Sequence, residues 1–491
     1  MEHPLHLQSR MKIIVKWGRE KLEVDADTDE PPLVFKSQLF ALTGVMPARQ
    51  KVMIKGKILG DDSWSRFHLT EGAQIMMMGS AEAVPEAPKE RTQFIEDMTE
   101  AQASAALNLP VGLKNLGNTC YMNATLQCFR VIPELKEALF KFQGGAQSLV
   151  PSEAGASTIT GAVRDLYRMM ESESSKRVGS VIPLYMIQAL HTVMPQFSTR
   201  DDHGQWMQQD ANECWTELLR KFQTQLKVEG SEASPASSVV TQFMEGRFHV
   251  TMKNLETEEE PVSESSEKFL QLSCFLSQEV KYVQLGIKGK LTEEIEKLSG
   301  VLGRNARYEK KALIDRLPGY LCIQMVRFFY KEKDKVNAKI LKDVKFPINL
   351  DMFDMCTPEL QQKFLPMRDA FKNEEERKLE ALRLSKTEDS TKEEKKKPDK
   401  EARYAPFSFE DDPGSNNSGF YELQAVLTHK GRSSNSGHYV AWVCVGEDHW
   451  AMCDDDEVHP VTSEDVAKLS GGGDWHCAYL LLYGPRRLKL H

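Results

Sequence analysis

The chain has 491 residues, a net charge of -9, 41% apolar residues and 27% charged residues. That length predicts roughly two to four domains of ordinary soluble composition. The acidic balance argues against a nucleic-acid binder that works by neutralising phosphates, and no apolar run approaches the roughly 20 residues that cross a bilayer.

The first residues, MEHPLHLQSR, lack the apolar stretch of a secretory signal. Residues 1–10 are read as a flexible N-terminus. Nine scattered cysteines, an odd number, point to a reducing, intracellular compartment. No C-x-x-C pair and no H-E-x-x-H occurs, so neither a metal site nor a cofactor is expected. The motifs of P-loop proteins and of serine hydrolases with a G-x-S-x-G elbow are missing as well.

Residues 11–79 read as a small β-rich domain. Met11–Trp17 (MKIIVKW) is a strand, Gly18 marks a turn, and Leu22–Val24 returns as in a hairpin. The segment PPLVFKSQLFALTG predicts a short amphipathic helix that buries Val34, Phe35, Leu39 and Leu42 and stops at Gly44. Lys51–Ile54 and Ile75–Met78 are two further strands. This order resembles the β-grasp fold of ubiquitin, and PARQKVMIKGKIL is similar to the matching stretch of ubiquitin. Met78-Gly79-Ser80-Ala81 stands where ubiquitin carries its Arg-Gly-Gly tail, so the resemblance implies a built-in module that is not conjugated. Aligned in this way, Met53, Met76 and Met78 fall on the face that ubiquitin uses for recognition. Flexible thioethers suit an adaptable contact, although alternating strand residues also supply core.

Residues 80–105, rich in Ala, Glu and Pro, read as a linker. Residues 106–485 form the large second domain, and 486–491 a C-terminal tail. Within the large domain, 229–238 (EGSEASPASS) reads as a flexible loop. The stretch 372–403, with 21 charged residues of 32, reads as a solvated helix that frays into disorder.

The second domain carries the chemistry. In GLKNLGNTCYMNATLQCF, glycines and asparagines break structure until helical periodicity begins at Cys120. A thiol at a helix N-terminus meets unpaired amides and the positive end of the helix dipole, which favour the thiolate. Thr119 is placed to cap the helix, and Asn115 offers an amide donor to an oxyanion. A lone cysteine at a helix start is ordinarily inert, so a base must come from elsewhere in the chain. SGHYVAWVCV supplies His438 at the start of a strand. A short turn near Glu447-Asp448 would return the chain so that Asp454, sixteen residues on, lies beside His438. A carboxylate there fixes the imidazole tautomer and stabilises the imidazolium. Asp455 is the alternative orienter, or a group that helps hold the oxyanion. In QQDANECWTELLRKF, Asp210 and Glu213 have the spacing of a capping box ahead of a buried stripe of Ala211, Cys214, Trp215, Leu218, Leu219 and Phe222.

The string G-L-x-N-L-G-N-T-C-Y-M-N and the later G-H-Y, tryptophan and D-D arrangement are similar to the cysteine and histidine boxes of the ubiquitin-specific proteases. The chain looks most like the proteasome-associated members of that family. Cys453 departs from the pattern, because an aromatic residue usually stands there. The resemblance implies an α+β protein in which the β-grasp, ubiquitin-like domain precedes a papain-like catalytic domain of thumb, palm and fingers. LCIQMVRFFY and KILKDVKFP would be palm strands, and GGGDWHCAYLLLYG the closing strand. The fingers, with only Cys274, would be held by packing without zinc.

The resemblance also implies hydrolysis of the isopeptide bond at the C-terminal glycine of ubiquitin. Cys120 would be the nucleophile, His438 the base, and Asp454, Asn115 and Asp455 the supporting groups. Gln209, Asp210, Phe328, Tyr330, Ser433 and Ser434 would meet the ubiquitin tail. Segments Tyr330–Lys342 and Gly431–Gly437 would be loops that cover the tail groove in the free enzyme. The implied partners are ubiquitin, polyubiquitinated proteins and, through the ubiquitin-like domain, the 26S proteasome regulatory particle. The implied location is the cytoplasm, extending to the nucleus with the proteasome. Two alternatives stand beside this reading: a catalytically weak adaptor that binds ubiquitin and the proteasome, and a protease for another ubiquitin-like modifier.

Overall fold

The computed structural model describes residues 10–80, 107–145, 154–228, 238–331, 336–387, 403–433, 436–446, 449–473 and 475–490. The N-terminal arm, almost all of the linker, the loop 229–237, residues 388–402 of the charged stretch, Ser434 and the turn at 447–448 lie outside the described residues. The chain divides into two units, Met1–Phe94 and Ile95–His491.

In the first unit, β1 (Arg10–Trp17) and β2 (Glu20–Asp27) form an antiparallel hairpin. Helix α1 (Pro32–Thr43) follows, then β3 (Lys51–Ile54), β4 (Lys57–Ile58) and β5 (Gln74–Met78). The sheet order is β2-β1-β5-β3-β4, with β1 and β5 parallel. Strict alternation sorts the strand residues: Ile13, Val15, Ile75 and Met77 enter the core, while Met76 and Met78 face solvent. Helix α1 starts on a proline and stops at Gly44, whose φ of 68° lies in the left-handed region. Its inward face differs from expectation in two residues, because Val34 and Leu42 are 43% and 55% exposed. Pro32, Phe35, Lys36, Leu39 and Thr43, at helical spacing, face inward instead. The Lys36 stem crosses that face so that Nζ reaches Asp61 at 2.6 Å.

The second unit opens with helices α2 (Cys120–Phe129), α3 (Pro133–Lys141), α4 (Ala154–Glu171), α5 (Leu184–Val193) and α6 (Ala211–Gln225). Every residue of α2 is buried. The inward stripe of α6 comprises the six residues expected from its periodicity.

Next come β6 (Gly246–Asn254), β7 (Ser263–Phe269), β8 (Leu272–Phe275), β9 (Thr292–Leu298) and β10 (Asn305–Arg316). Strands β9-β10-β6-β7, in that order, make a four-stranded antiparallel sheet. The principal elements after these are β11 (Leu321–Val326), β12 (Phe328–Lys331), β13 (Val336–Lys339), β14 (Asn349–Asp351), α7 (Pro358–Thr387), β15 (Phe420–Ser433), β16 (Ser436–Gly446), β17 (His449–Asp454), β18 (Glu457–Thr462) and β19 (Cys477–Pro485).

An eight-stranded sheet runs β8-β11-β19-β15-β16-β17-β18, with β14 added on β15. Both faces are covered. Along β16, Tyr439, Ala441 and Val443 join the core shared with the helices, and Val440 and Trp442 join a second core behind the sheet. This two-sided burial explains the near-continuous apolar run of β19, in which every residue is buried. Helices, large sheet and small sheet are the three parts anticipated as thumb, palm and fingers. The start of the charged stretch, 372–387, continues α7 as helix.

Three expectations change. KILKDVKFP is largely irregular: only Lys339 belongs to β13, and Lys345 makes an isolated bridge to Tyr282. The segments Tyr330–Lys342 and Gly431–Gly437 are hairpins rather than loops. Strands β12 and β13 pair through Phe328↔Lys339, and β15 turns into β16 through Ser433↔Ser436.

Arg327, 0% exposed, stands between β11 and β12. Its guanidinium donates to four main-chain carbonyls: Ala478 at 2.6 Å, Ser470 at 2.7 Å, Lys342 at 2.9 Å and Ile340 at 3.0 Å. It thereby ties the root of the β12–β13 hairpin to β19 and to the segment before it. Burial holds its pKa below the usual value.

Candidate active site

The turn before α2 uses Gly117 at φ 100° and Asn118 at φ 52° to bring Cys120 to the first position of the helix. Thr119 occupies the N-cap but does not cap with its side chain. Its hydroxyl instead accepts from Leu116 N at 2.9 Å, and its carbonyl accepts from Met122 N and Asn123 N. The preceding glycine, Gly112, is required by space: a Cβ there would lie 2.5 Å from the Asp456 carbonyl oxygen. The chain leading to Cys120 is thus pressed against the turn that follows β17.

The β16–β17 pairing, with Ala441 opposite Cys453, brings Asp454 to His438. His438 Nε2 donates to Asp454 Oδ1 at 2.5 Å, and the Cys120 thiol lies near enough to the ring to act on its charge. The Asp454 bond, then Cys120, raise the His438 pKa to about 10. The same bond holds Asp454 below the usual carboxylate range. The Cys120 residue is 2% exposed. Its sulfur accepts from Tyr439 N at 3.5 Å and from Gln208 Nε2 at 3.2 Å.

Asp455 sits at φ 54° in the turn after β17. Asn115 Nδ2 donates to its Oδ2 at 2.9 Å and Asn123 Nδ2 to its Oδ1 at 2.8 Å. Burial raises its pKa, and these two bonds offset part of the rise. The Asn115 carbonyl oxygen accepts from Gly117 N at 2.9 Å and Thr119 N at 3.2 Å. Asn115 therefore braces the loop and retains one amide hydrogen beyond the bond to Asp455. Ligand atoms of His438, Asp454 and Asp455 lie within 4.8 Å of one another, a spacing that a cation could occupy. The bonds above already engage these atoms in a hydrogen-bonded network.

Asp210 caps α6: its Oδ1 accepts from Asn212 N at 2.7 Å and Glu213 N at 3.3 Å. The reciprocal half of a capping box is absent among the described residues. Tyr479 OH donates to both carboxylate oxygens, at 2.9 and 2.8 Å, and burial raises the Asp210 pKa. Asp210 and Phe328 line one cleft of about 410 Å³ with Gln324, Arg327 and Tyr479. The Phe328 ring packs edge-on against Tyr479 and His429, 5.2 Å from each. Lys339 Nζ donates to the His429 carbonyl at 2.5 Å and fastens β13 beside that ring.

Gln209 turns outward, its Nε2 donating to Thr199 Oγ1 at 2.7 Å. Ser433 ends β15. Tyr330 is in β12, with its side chain outside the described residues. Cys453 is packed in the core shared with the helices, and burial pushes its thiol up to about 12. Gln208 was not singled out in the sequence, nor was Arg327.

A thiol at a helix start, an imidazole beside it and a carboxylate bonded to that imidazole form the site of a cysteine hydrolase. The ubiquitin carboxyl-terminal hydrolase family model matches residues 111–483. The chain is 41% identical to ubiquitin carboxyl-terminal hydrolase 14 of Caenorhabditis elegans, over 97% of this chain and 93% of that one. It is 40% identical to ubiquitin carboxyl-terminal hydrolase 7 of Arabidopsis thaliana, over 98% and 100% of the two chains. Among solved structures, the SAGA DUB module Ubp8/Sgf11/Sus1/Sgf73 bound to monoubiquitin is similar in fold. Its TM-score is 0.52 at 18% identity, covering 77% of this chain and 69% of that chain. The chain belongs to the ubiquitin carboxyl-terminal hydrolase family and is a deubiquitinating cysteine protease.

Proposed function

We propose that Cys120 attacks the carbonyl carbon of the last glycine of ubiquitin and releases the lysine amine of the conjugated protein. His438 takes the thiol proton and returns it to the leaving amine. Asp454 keeps the imidazolium oriented and charged. The second amide hydrogen of Asn115 and the Cys120 main-chain N–H receive the oxyanion, and water hydrolyses the thioester. The observation that carries this reading is the imidazole of His438 bonded to Asp454, on the strand whose next residue, Tyr439, donates its main-chain N–H to the Cys120 sulfur. Asp210, in its cleft, is the acceptor for a basic residue of the ubiquitin tail. In this reading the two hairpins form a resting gate, which lowers apparent affinity by the open fraction.

In this reading the first unit is a β-grasp, ubiquitin-like domain that docks on the proteasome, so the enzyme trims ubiquitin from proteasome substrates in the cytoplasm and nucleus. The sheet order β2-β1-β5-β3-β4 supports the fold. The pairs Met53↔Met76 and Met53↔Ile58 support a docking face, because they set half-exposed Met76 beside exposed Ile58 across Met53.

The test is covalent capture by ubiquitin carrying a C-terminal electrophile. Full-length protein is expected to be labelled on Cys120, and Cys120→Ala is expected neither to label nor to cleave conjugates. Conjugate cleavage by Cys120→Ala would reject the assignment. Loss of proteasome co-purification on deleting residues 1–80, with ubiquitin hydrolysis retained, tests the docking half separately.

A further inference from the structure

Two adjacent glutamines lead into α6, and they separate. Gln209 faces outward to Thr199. Gln208, 8% exposed, turns inward and donates from Nε2 to Cys120 Sγ at 3.2 Å, while its Oε1 lies 3.7 Å from the same sulfur. Cys120 is the only hydrogen-bond partner recorded for this side chain among the described residues. The position is built from both sides. Asn118 Nδ2 donates to the Trp206 carbonyl at 2.8 Å, tying this segment to the turn before Cys120, and Asp210 anchors its other end as the cap of α6. A buried carboxamide held against a sulfur suits both forms of that sulfur. The thiol has an acceptor in Oε1, and the thiolate has a donor in Nε2.

We infer that Gln208 is a further catalytic residue, which holds the Cys120 thiolate through Nε2–H and passes that hydrogen bond to the oxyanion. In the addition step a bond forms between Sγ and the carbonyl carbon, and the carbonyl π pair moves onto oxygen. That oxygen is two bonds from Sγ, within reach of a donor that already touches the sulfur. Collapse of the adduct expels the amine, which takes the proton held by His438, and the oxygen lone pair restores the carbonyl. Gln208 neither gains nor loses a proton. Asn115, the other side-chain donor, gives one of its two amide hydrogens to Asp455. Gln208 supplies the donor on the sulfur side.

This inference rests on Cys120 being the nucleophile, and its test separates the two claims. In the full-length protein, Gln208→Met keeps the volume and removes the donor. Its kcat on ubiquitin-fluorophore is expected to fall roughly 10- to 100-fold, with KM changed less than about twofold. Losing the donor disfavours the thiolate, so the rate of Cys120 alkylation by iodoacetamide at pH 7 is expected to fall severalfold. Gln208→Glu, isosteric and suited to the same space, sets a negative charge against thiolate and oxyanion and is expected to lose more activity than Gln208→Met. Wild-type kcat and a wild-type alkylation rate in either folded variant, with Cys120→Ala inactive, would overturn the role of Gln208 alone. Hydrolysis by Cys120→Ala would overturn both claims.

Discussion

Asn115 and Asp455 meet at 2.9 Å across 340 positions of the chain. Through this pair, and through Asn123 on the other carboxylate oxygen, one aspartate joins the loop before Cys120, the helix that begins there and the turn beyond Asp454. Asp455→Ala leaves two amide donors without their acceptor and places alanine at φ 54°. The expected loss of unfolding free energy is roughly 2–4 kcal/mol. Asp455→Asn tolerates the left-handed backbone and keeps one acceptor, so its loss should be about half as large. Urea denaturation of both variants checks the order, and a loss in Asp455→Asn equal to that in Asp455→Ala contradicts it.

Asp454 governs the alkaline behaviour of the site. Turnover needs a protonated His438, and with a pKa of about 10 the wild-type rate should hold until the pH approaches that value. Asp454→Asn removes the first cause of the rise, so the alkaline limb should move toward neutrality while kcat falls on the order of 100-fold. The pH–rate profile reports both effects. Linkage has the same sign. The folded pKa exceeds the unfolded value of about 6.5, so this stabilisation is complete below pH 6.5 and fades as pH climbs toward 10.

His429 works in the opposite direction. Burial first, then Lys339, lower its pKa to about 3. The unfolded chain takes up this proton below about pH 6.5 and the folded chain does not, so stability falls as pH drops from 6.5 toward 3. His476, lowered by burial to about 4, adds to the same window. In His429→Gln, which retains a donor for the Ser436 carbonyl that now pairs with His429 Nε2 at 3.2 Å, the acid slope of unfolding free energy should flatten. Denaturant titrations from pH 7 to pH 4 measure it, and an unchanged slope excludes His429 as a source.

For the first unit, Met76→Ser and Met78→Ser together should reduce recovery of proteasomes with the tagged full-length protein. Both side chains are half exposed. Stability should change by less than about 0.5 kcal/mol for each, as is usual for surface sites. Undiminished recovery would remove these methionines from the docking face.

The gate can be examined at the hairpin tip. Ser433→Glu and Ser434→Glu add charge at the β15–β16 turn and should change resting hydrolysis of ubiquitin-fluorophore. Alkylation of Cys120 by iodoacetamide should stay near the wild-type rate. Addition of proteasomes stripped of their own deubiquitinases should raise wild-type turnover. Equal rates with and without proteasomes count against the gate.

Much of the site was legible because its parts are local patterns. The glycine and asparagine run before Cys120 announces a helix start, and two strands around a short turn dictate that Asp454 reaches His438. Gln208 was hidden for the opposite reason. Its partner lies 88 positions away, and nothing in the string QQD says which glutamine turns inward. The two hairpins escape a reading by pattern because the polar runs YKEKDKVNAK and GRSSNSG show no apolar alternation. KILKDVKFP differs in the converse way: Val344 and Phe346 alternate and are buried as in a strand, yet Arg327 and the segment near Ser470 take much of the run's main-chain bonding. Val34 and Leu42 illustrate the limit of counting apolar residues on a helix, since a lysine stem can occupy the inward face.

Arg327 grips only carbonyl oxygens. The side chains at Ile340, Lys342, Ser470 and Ala478 therefore take no part in its hold, whatever else packing asks of buried Ala478 and Ser470. The Arg327 side chain itself is required. A lysine concentrates its three donors on one nitrogen and cannot span the carbonyls that the flat guanidinium reaches. The base of the β12–β13 hairpin is thus locked by a single side chain reading backbone. A substitution elsewhere in the hairpin leaves that root fastened.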